Sequence, residues 1–592
     1  MSRYTAPLRE MRFVLFDVLH AEQAFTRLSG ADPANRELVD AVLEEGARFT
    51  EQVLAPLNQS GDEQGCRFEH GTVHTPKGFR EAYQQFVEGG WNGLTAPEQF
   101  GGQHLPELVG AVVKEMIDSA NLSWGTYPLL SHGATEALKQ VGEPWQQEVF
   151  LKPIVDGRWT GTMCLTEPHC GSDLGLLKTR AEPNADGSFQ ISGTKIFITA
   201  GEHDLTENIV HLVLARLPDA PPGVRGISLF LVPKFKVDRE GRVGARNTLG
   251  CGSIEHKMGI KGSATCVMNF DAAEGWLIGQ PNRGLAAMFL MMNTARLAVG
   301  LQGLGLMERA WQNGLDYARD RLQGRALTGP KRADKPADPL IVHPDIRRML
   351  LTQKSLVEAG RALVYYTILQ VDLAERGSDA DARKQADELL GFLTPIVKAG
   401  LTELAVECCY HAQQIYGGHG YIREWGMEQL ARDARITTVY EGTTGIQAMD
   451  LIGRKVLQLQ AVGLKAFLAE ISAFVATEQS HAERGAWATL LGRHAEEWAE
   501  LSQFIGNAAQ ANPDEVGAAA HDYLFYSVYV SLAYFSLRLL AAAGNQDAEF
   551  AAAKRANTRF YFERILPRAA AHAAALRSGA SNLMELAETA FI

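Results

Sequence analysis

Apolar residues recur at helical spacing through the first quarter of the chain. In ELVDAVLEEGARFTEQVLAPL they fall three and four positions apart, which places them on one face of a helix. Glycine-rich turn signals such as EGGWNG and FGGQHLP separate segments of this kind. The pattern predicts an N-terminal α-helical domain over residues 1–157.

The pattern then changes to short β-rich segments, and later returns to helices. FQISG, KIFITA, IVHLVLARL and GISLFLVPKF lie between clusters of Gly, Pro, Asn and Asp, which predicts an antiparallel β-barrel or sandwich domain over residues 158–280. Helical spacing resumes over residues 281–460, interrupted by the loop LTGPKRADKPADPLIVHP, and continues in an alanine-rich block over residues 461–592. The expected fold class is therefore α+β, with a helical domain, a β-domain, a helical bundle and an additional helical domain.

Length and charge exclude some classes of partner. A chain of 592 residues is too long for one hydrophobic core. Its formal net charge is -12 without a dense basic tract, so we expect no nucleic-acid partner. The most apolar uncharged run, Tyr523 to Leu537, is shorter than the roughly 18 residues of a membrane span. It predicts a buried helix, and we expect no integral membrane association.

Cysteine usage and the N-terminus point to the cytoplasm. The seven cysteines include no CxxC pair and form an odd set, which argues against a zinc site or a disulfide framework. No metal site is therefore expected. The N-terminal segment MSRYTAPLREMRFVLFDVL lacks the uninterrupted apolar core of a signal peptide, so a cytoplasmic location is the expectation.

Two segments of the β-rich region carry candidate ligand contacts. In MCLTEPHCGSDLGLLKTRAE, the backbone N–H groups near Leu165 and Thr166 suit the polar edge of a heteroaromatic ring, and the turn supplies Ser172. In KIFITAGEH, Phe197 and Thr199 fall on one side of a strand because side chains alternate. Each segment alone is more typical of an ordinary turn or of a strand with a core phenylalanine. No GxGxxG segment follows a strand near the start, so a Rossmann nucleotide site is not indicated.

Glycines and arginines in the helical regions suggest a binding site for an anionic ligand. Gly417 and Gly418 end a helical pattern in QQIYGGHGY and permit the close approach of a diphosphate or adenine. A glycine-rich helix end is more often a C-cap and turn than a ligand site. Arg296 lies in the apolar helix MMNTARLAVG, where an unpaired charge is costly. Arg321 lies at a helix end, where a phosphate or solvent is a plausible partner.

Glu441 is the candidate base. It lies in TTVYEGTTGIQAMDL, followed at once by a glycine and two threonines and flanked by apolar residues. Considered alone, it is more typical of a solvated loop or of a charge at a helix N-terminus.

Together and in this order, the four segments resemble the acyl-CoA dehydrogenase family. LTEPHCGSDL resembles its flavin and substrate strand, KIFIT its flavin-stacking strand, IYGGHGY its adenine-side loop and VYEGTTGIQ the segment bearing the base. The resemblance covers about Ala41 to Leu459, and the last block resembles the added helical domain of longer members. The chain is most similar to a long bacterial branch that contains fatty-acid-oxidation dehydrogenases and 3-methylmercaptopropionyl-CoA dehydrogenase.

The resemblance implies FAD as the cofactor, held between the β-domain and the helical bundle. The residues that it places at FAD are Leu165, Thr166, Phe197, Thr199, Arg321, Gln323, Gln414, Gly417, Gly418 and Thr443, of which Arg321 and Gln323 come from a neighbouring subunit. It places Ser172, Arg296 and Gly442 at the substrate. Glu441 becomes the catalytic base, because the position used by a minority of members is Ala295 here. Phe197 stands where many members have Trp, and Gly445 where several have Gln.

The implied reaction is α,β-dehydrogenation of an acyl-CoA thioester to the trans-2-enoyl-CoA. Glu441 takes the α-proton, and a hydride leaves for flavin N5. Burial among Val439, Ile446 and Met449 is expected to raise the pKa of the base. A medium- to long-chain substrate of fatty-acid β-oxidation, an electron-transferring flavoprotein as acceptor and a homodimer are expected. The alternatives are 3-methylmercaptopropionyl-CoA dehydrogenase, an oxidase that uses oxygen, and a catalytically silent binding or assembly homologue.

Overall fold

The structure of this protein, a computed structural model, describes residues 4–30 and 34–591. Helices occupy both ends of the chain and a β-sheet lies between them, as the α+β prediction requires. The helices before the sheet are α1 (Leu8–Arg12), α2 (Ala21–Phe25), α3 (Arg36–Phe49), α4 (Leu57–Gln64), α5 (Phe79–Glu88), α6 (Glu107–Val141), α7 (Pro144–Gln146) and α8 (Lys152–Val155).

The strands follow in two groups. A short hairpin precedes α5 and is formed by β1 (Arg67–Glu69) and β2 (Thr72–His74). The remaining strands are β3 (Trp159–Cys164), β4 (Arg180–Pro183), β5 (Phe189–Thr199), β6 (Asn208–Arg216), β7 (Ile227–Pro233), β8 (Phe235–Val237), β9 (Val243–Arg246), β10 (Leu249–Ile254) and β11 (Thr265–Ile278).

The elements after β11 are helices joined by loops. They are α9 (Gly284–Asp320), α10 (Pro344–Arg376), α11 (Ala380–Pro395), α12 (Leu401–Tyr416), α13 (Met427–Thr437), α14 (Thr444–Met449), α15 (Val462–Glu478), α16 (Gly485–Ala511), α17 (Asp514–Ala542), α18 (Ala548–Phe560), α19 (Arg568–Arg577) and α20 (Ser581–Met584). A π-helical turn, Ile396–Gly400, links α11 to α12. The chain divides into two compact units, and the divisions fall inside the helices α3, α6 and α9.

The first unit, here called the sheet unit, contains residues 48–110 and 120–298. Its strands pair in the order β10-β11-β5-β4-β6-β3, and β7 pairs with both β11 and β6. The pairings β4–β5–β11–β7–β6–β4 therefore close a ring, which leaves fewer exposed strand edges. Most pairs are antiparallel as predicted, but β3 and β4 pair parallel with β6, because long connections separate these strands in sequence.

The core of the sheet unit lies between the second half of α6 and the inner face of the sheet. Leu130 and Ala134 of α6 pack there with Leu212, Leu214 and further apolar residues of β6 and β7. Gly161 of β3 lies directly on α6, since a Cβ at this position would come within 2.4 Å of the Ala134 Cβ. A glycine is therefore required for β3 to approach the helix this closely.

A break in α6 accompanies the division between the units. Asn121 has a non-helical backbone (φ -158°, ψ 90°), and its Oδ1 accepts a hydrogen bond of 3.1 Å from Trp124 N. The side chain thus acts as an N-cap for the helical segment that follows. The apolar pattern of α6 gave no signal for this break, because it arises from a local side-chain-to-backbone bond.

The second unit, the helical unit, contains the described residues up to Ala47, Ala111–Ser119 and the residues from Val299 onward. A buried cluster of charges in this unit is centred on Arg361 of α10. The guanidinium donates to the Glu115 carboxylate through Nε (3.0 Å) and Nη2 (2.7 Å), and to Glu308 Oε2 through Nη2 (2.6 Å). Tyr365 donates its hydroxyl hydrogen to Glu115 Oε2 at 2.5 Å. Burial raises the pKa of Glu115, and Arg361 opposes that shift.

Three helical segments of the described chain have the length and composition of a membrane span: Gly284–Asp320, Ala380–Tyr421 and Asp514–Asn545. In the apolar window of each, 56%, 78% and 89% of the residues are buried inside the protein. The run Tyr523 to Leu537 is buried as predicted. The expectation that it is too short to span a membrane is wrong, because α17 extends well beyond the uncharged run at both ends.

We expect Arg361→Met to destabilise the helical unit by about 3–5 kcal/mol, because it leaves two carboxylates buried without their cation. The measurement is urea unfolding followed by circular dichroism. Arg559→Met is the matched control, since Arg559 forms an exposed ion pair with Glu563 four residues on. Its loss should change stability by no more than about 0.5 kcal/mol. Equal effects of the two variants would contradict the assignment of stability to the buried cluster.

Candidate active site

Glu441 lies in the loop between α13 and α14, where the backbone turns sharply. Its φ is +54° and that of Gly442 is +92°, so two successive residues adopt the left-handed conformation. This conformation is unfavourable for a residue with a Cβ, and it persists where the surroundings enforce it. A Cβ at Gly442 would also come within 2.6 Å of Gln447 Nε2. The positive φ thus favours a glycine after the base, and a Cβ there would displace the Gln447 amide.

The loop is anchored on both sides of Glu441. Tyr440 donates its hydroxyl hydrogen to Gln302 Oε1 on α9 at 2.5 Å. Gln447 Nε2 on α14 donates to the Glu441 carbonyl at 3.1 Å. Thr443 is the N-cap of α14, since its Oγ1 accepts from Ile446 N at 3.3 Å. The capping role was not foreseen, although a threonine before a helical run is a recognised N-cap signal.

Apolar side chains lie close to Glu441 in sequence, but they do not bury it. Val439, Ile446 and Met449 are 45%, 40% and 42% exposed, and Glu441 itself is partly exposed. The expectation that these residues bury the base is wrong, because the loop stands at the surface of the helical packing. They are exposed apolar side chains on the loop that carries the base and on α14.

In the sheet unit, the four residues expected at a flavin ring lie on two connected segments. Leu165 and Thr166 directly follow β3, while Phe197 and Thr199 are on β5. A hydrogen bond of 2.9 Å from Ile196 N to the Thr166 carbonyl joins the two segments. The structure therefore brings these four residues together within one unit.

Phe197 has a conformation that alternation alone does not predict. Its φ is +59°, and the pairing of β5 with β11 shifts between Ile198 and Lys195, which marks a β-bulge. The phenylalanine side chain is 59% exposed, whereas Ile198 is buried. Bulges re-aim side chains next to functional sites. The result is a flat apolar ring presented outward from a rigid strand.

A buried ion pair lies between β5 and the segment that follows β3. Lys195 Nζ donates to Glu167 Oε1 (2.9 Å) and to the Leu165 carbonyl (3.0 Å). Burial alone would raise the pKa of Glu167. The Lys195 ammonium, with hydrogen bonds from Thr179 and from Lys178 N, lowers it to about 2 instead. The pair thus links β5 to the segment that follows β3.

Glu167 also belongs to a group with metal-ligating side chains, which the cysteine spacing did not indicate. Ligand atoms of Glu167, His169 and Cys170 lie within 4.8 Å of one another. The Glu167 oxygens already accept hydrogen bonds from Lys195 and Thr179, and His169 Nε2 lies 3.0 Å from the Leu176 carbonyl. These bonds give the grouping a structural role in the turn.

The residues expected at the substrate belong to both units. Ser172 is exposed in the turn that follows Cys170. Arg296 is only 6% exposed, within α9 in the sheet unit. Gly442 lies beside Glu441 in the helical unit. The structure places Ser172 and Arg296 on separate elements of their unit.

Arg321 and Gln323 are both exposed at the end of α9. The loop that follows is organised by the buried Asp338, whose carboxylate accepts hydrogen bonds from Ala326 N, Lys331 N and Arg332 N. The hydrogen bond from Ala326 N lowers the pKa of the Asp338 carboxyl most. Together the three bonds lower this pKa to about 2. The long loop is therefore an ordered structure.

Gln414, Gly417 and Gly418 lie together at the end of α12. Gly417 has φ +58° and ends the helix, so the C-cap alternative is correct for this glycine. A Cβ at Gly417 or Gly418 would meet no atom within 4 Å. The backbone here faces open space and fits the close approach of a phosphate-bearing ligand.

Family models match most of the chain in order. They are described as acyl-CoA dehydrogenase, N-terminal domain (residues 37–158), middle domain (162–273) and C-terminal domain (282–457). A further model, acetyl-CoA dehydrogenase C-terminal like, matches residues 467–587.

Known proteins resemble the chain over nearly its full length. It is 44% identical to 3-methylmercaptopropionyl-CoA dehydrogenase of Ruegeria pomeroyi, over 95% of this chain and 96% of that protein. It is 33% identical to a butyryl-CoA dehydrogenase of Syntrophomonas wolfei over 100% of both. Its fold matches a Bacillus anthracis acyl-CoA dehydrogenase complexed with FAD, with a TM-score of 0.75 and 19% identity over 93% of this chain and 90% of that one.

The outward phenylalanine ring of the sheet unit suits a flavin ring. The open glycine turn of the helical unit, considered separately, suits a phosphate group. Four family models and full-length relatives agree with that chemistry. The chain belongs to the acyl-CoA dehydrogenase family and is a FAD-dependent oxidoreductase.

Proposed function

We propose that this enzyme oxidises the α,β carbon–carbon bond of an acyl-CoA thioester, and that Glu441 removes the α-proton. The observation that carries the proposal is the left-handed backbone of Glu441, held from both sides on a loop with an apolar surface. Strain of this kind in a non-glycine residue is concentrated at functional sites. FAD, when bound, supplies the hydride acceptor.

The proposed base needs a higher pKa than a free glutamate has. An ordinary glutamate with a pKa of about 4.3 is a weak base for a proton α to a thioester. An acyl chain lying on Val439, Ile446 and Met449 would exclude water from the carboxylate and raise its pKa. In this proposal, the bound substrate excludes the water that still reaches the Glu441 carboxylate in the free protein.

For the substrate, we propose 3-methylmercaptopropionyl-CoA, on the strength of the relative from Ruegeria pomeroyi. A short straight-chain acyl-CoA is the second candidate, because the full-length relative from Syntrophomonas wolfei is a butyryl-CoA dehydrogenase. The medium- to long-chain expectation relied on the alanine-rich last block. That block falls within the alignment to a relative named for a four-carbon acyl group, so its presence does not indicate a long chain.

We further propose an electron-transferring flavoprotein as acceptor and a homodimer as the assembly, both from the family resemblance. An oxidase is the rival for the acceptor, and release of hydrogen peroxide during turnover would favour it. Sedimentation at twice the 64.7-kDa chain mass would support the dimer.

We expect Glu441→Gln to lower the rate of flavin reduction by acyl-CoA about 10²- to 10⁴-fold, because a general base contributes this much. FAD content and acyl-CoA binding should be retained, since the substitution preserves side-chain size. The measurement is anaerobic stopped-flow absorbance of the flavin. Glu424→Gln, an exposed carboxylate before α13, is the control and should reduce at the wild-type rate. Rapid flavin bleaching in Glu441→Gln would exclude this base.

A chain-length series tests the substrate proposal. We expect kcat/KM for 3-methylmercaptopropionyl-CoA to exceed those for butyryl-, octanoyl- and palmitoyl-CoA. Pentanoyl-CoA is the matched control, because it replaces the sulfur of the same-length chain by a methylene. A preference for the sulfur compound over pentanoyl-CoA supports recognition of the thioether. Equal values indicate selection by length alone, and a maximum at octanoyl-CoA or longer would overturn the proposal.

A further inference from the structure

A buried lysine lies beneath the loop that carries Glu441. Lys398 belongs to the π-helical turn Ile396–Gly400, and its side chain is fully buried. Its Nζ donates to the Gly442 carbonyl at 2.7 Å and to the Thr437 carbonyl at 2.9 Å. Thr437 is the last residue of α13, so one ammonium group joins the end of that helix to the residue after the proposed base.

The turn that carries Lys398 is tightly packed in the helical unit. A Cβ at Gly300 of α9 would come within 2.5 Å of Val397, next to the lysine. On the other side, a Cβ at Gly400 would come within 2.6 Å of Val528 on α17. Helix α9 therefore contacts the turn through the backbone of a glycine, and α17 contacts a glycine of the turn through Val528. Lys398 projects from a support that leaves little room for movement, as a positioning group requires.

A second side chain holds the neighbouring carbonyl. Gln447 Nε2 donates to the Glu441 carbonyl, one peptide before the carbonyl that Lys398 binds. The amide occupies the space that a Cβ at Gly442 would need. Two successive carbonyls are therefore held by two buried donors from different elements.

We propose that Lys398 is a positioning residue for the base, and that with Gln447 it enforces the left-handed backbone at Glu441 and Gly442. The backbone dihedral angles of Glu441 set the direction in which its carboxylate and its N–H leave the chain. When the two carbonyls are held, these groups take one orientation before substrate arrives. Without the ammonium, the loop is free to relax toward an ordinary turn, and the carboxylate loses its alignment with the α-proton. The inference rests on the proposed role of Glu441.

A purely structural role for Lys398 makes a different prediction. A lysine at a helix C-terminus also stabilises the carbonyls of that helix, here Thr437 of α13. In that case its loss would lower thermal stability and leave the chemical step unchanged. The bond to the Gly442 carbonyl, which lies outside α13, distinguishes the two roles, because helix capping does not require it.

The test compares Lys398→Met with Lys554→Met in the FAD-bound enzyme. Lys554 is equally buried in the helical unit, where it pairs with Glu10 and Glu358, so its loss controls for removal of a buried ammonium. Stopped-flow flavin reduction is measured below the melting midpoint of each variant. We expect Lys398→Met to reduce the rate about 10- to 100-fold, the effect of a misplaced catalytic group, with KM within threefold of wild type. Lys554→Met should lower the midpoint and keep the rate.

Hydrogen–deuterium exchange supplies a readout that does not depend on activity. In Lys398→Met, peptides covering residues 437–447 should exchange faster, and those of the sheet unit should not change. Gln447→Met is the second variant if Lys398→Met does not fold. It should slow flavin reduction about 3- to 10-fold, since it removes one of the two donors. Wild-type reduction rates in the folded lysine variant, or in Gln447→Met when the lysine variant fails to fold, would overturn the inference.

Flavin reduction in the wild-type enzyme distinguishes a failure of the proposed function from a failure of the proposed role of Lys398. If no acyl-CoA bleaches the flavin of the wild-type enzyme, the proposed function and the role of Lys398 both fail. If the wild type is reduced and Glu441→Gln is not, the function stands. A Lys398→Met enzyme that is reduced as fast as the wild type then overturns the positioning role alone.

Discussion

The hydrogen bond from the Lys398 ammonium to the Gly442 carbonyl is the contact on which the geometry of the base loop depends. It lets a glutamate keep a left-handed backbone at the surface of a helical unit. The packing of α9 and α17 around the π-helical turn holds the donor in place, and Gly442 leaves room for Gln447. Close helix packing is thereby linked to the direction of one carboxylate.

The sheet unit contains a similar arrangement around Phe197. Phe197 is also a non-glycine residue with positive φ, and a buried lysine, Lys195, holds the neighbouring segment through the Leu165 carbonyl. In each unit, a non-glycine residue with positive φ and an exposed or partly exposed side chain lies near a backbone carbonyl that accepts a hydrogen bond from a buried ammonium. Buried ammonium groups are unfavourable unless they are hydrogen-bonded, so both lysines stabilise specific backbone arrangements.

Much of the fold followed from the order of hydrophobic patterns. Helical spacing before and after a β-rich stretch identified the α+β class, and the buried helix around Tyr523 to Leu537 was recognised from its apolar run. The parallel pairing of β3 with β6 and the break at Asn121 were not foreseen. Strand pairing joins residues far apart in sequence, and the break results from a single side-chain bond. Neither leaves a periodic signal.

The sequence by itself determined the family and the cofactor, because four motifs in order are far more specific than each alone. It also contained an unused signal, a single lysine in the apolar run TPIVKAGL, where a buried charge calls for partners. Only the tertiary structure decided that Val439, Ile446 and Met449 stay exposed, that Phe197 lies on a bulge, and that Lys398 reaches the Gly442 carbonyl. These features depend on contacts between segments distant in sequence, which local patterns do not encode.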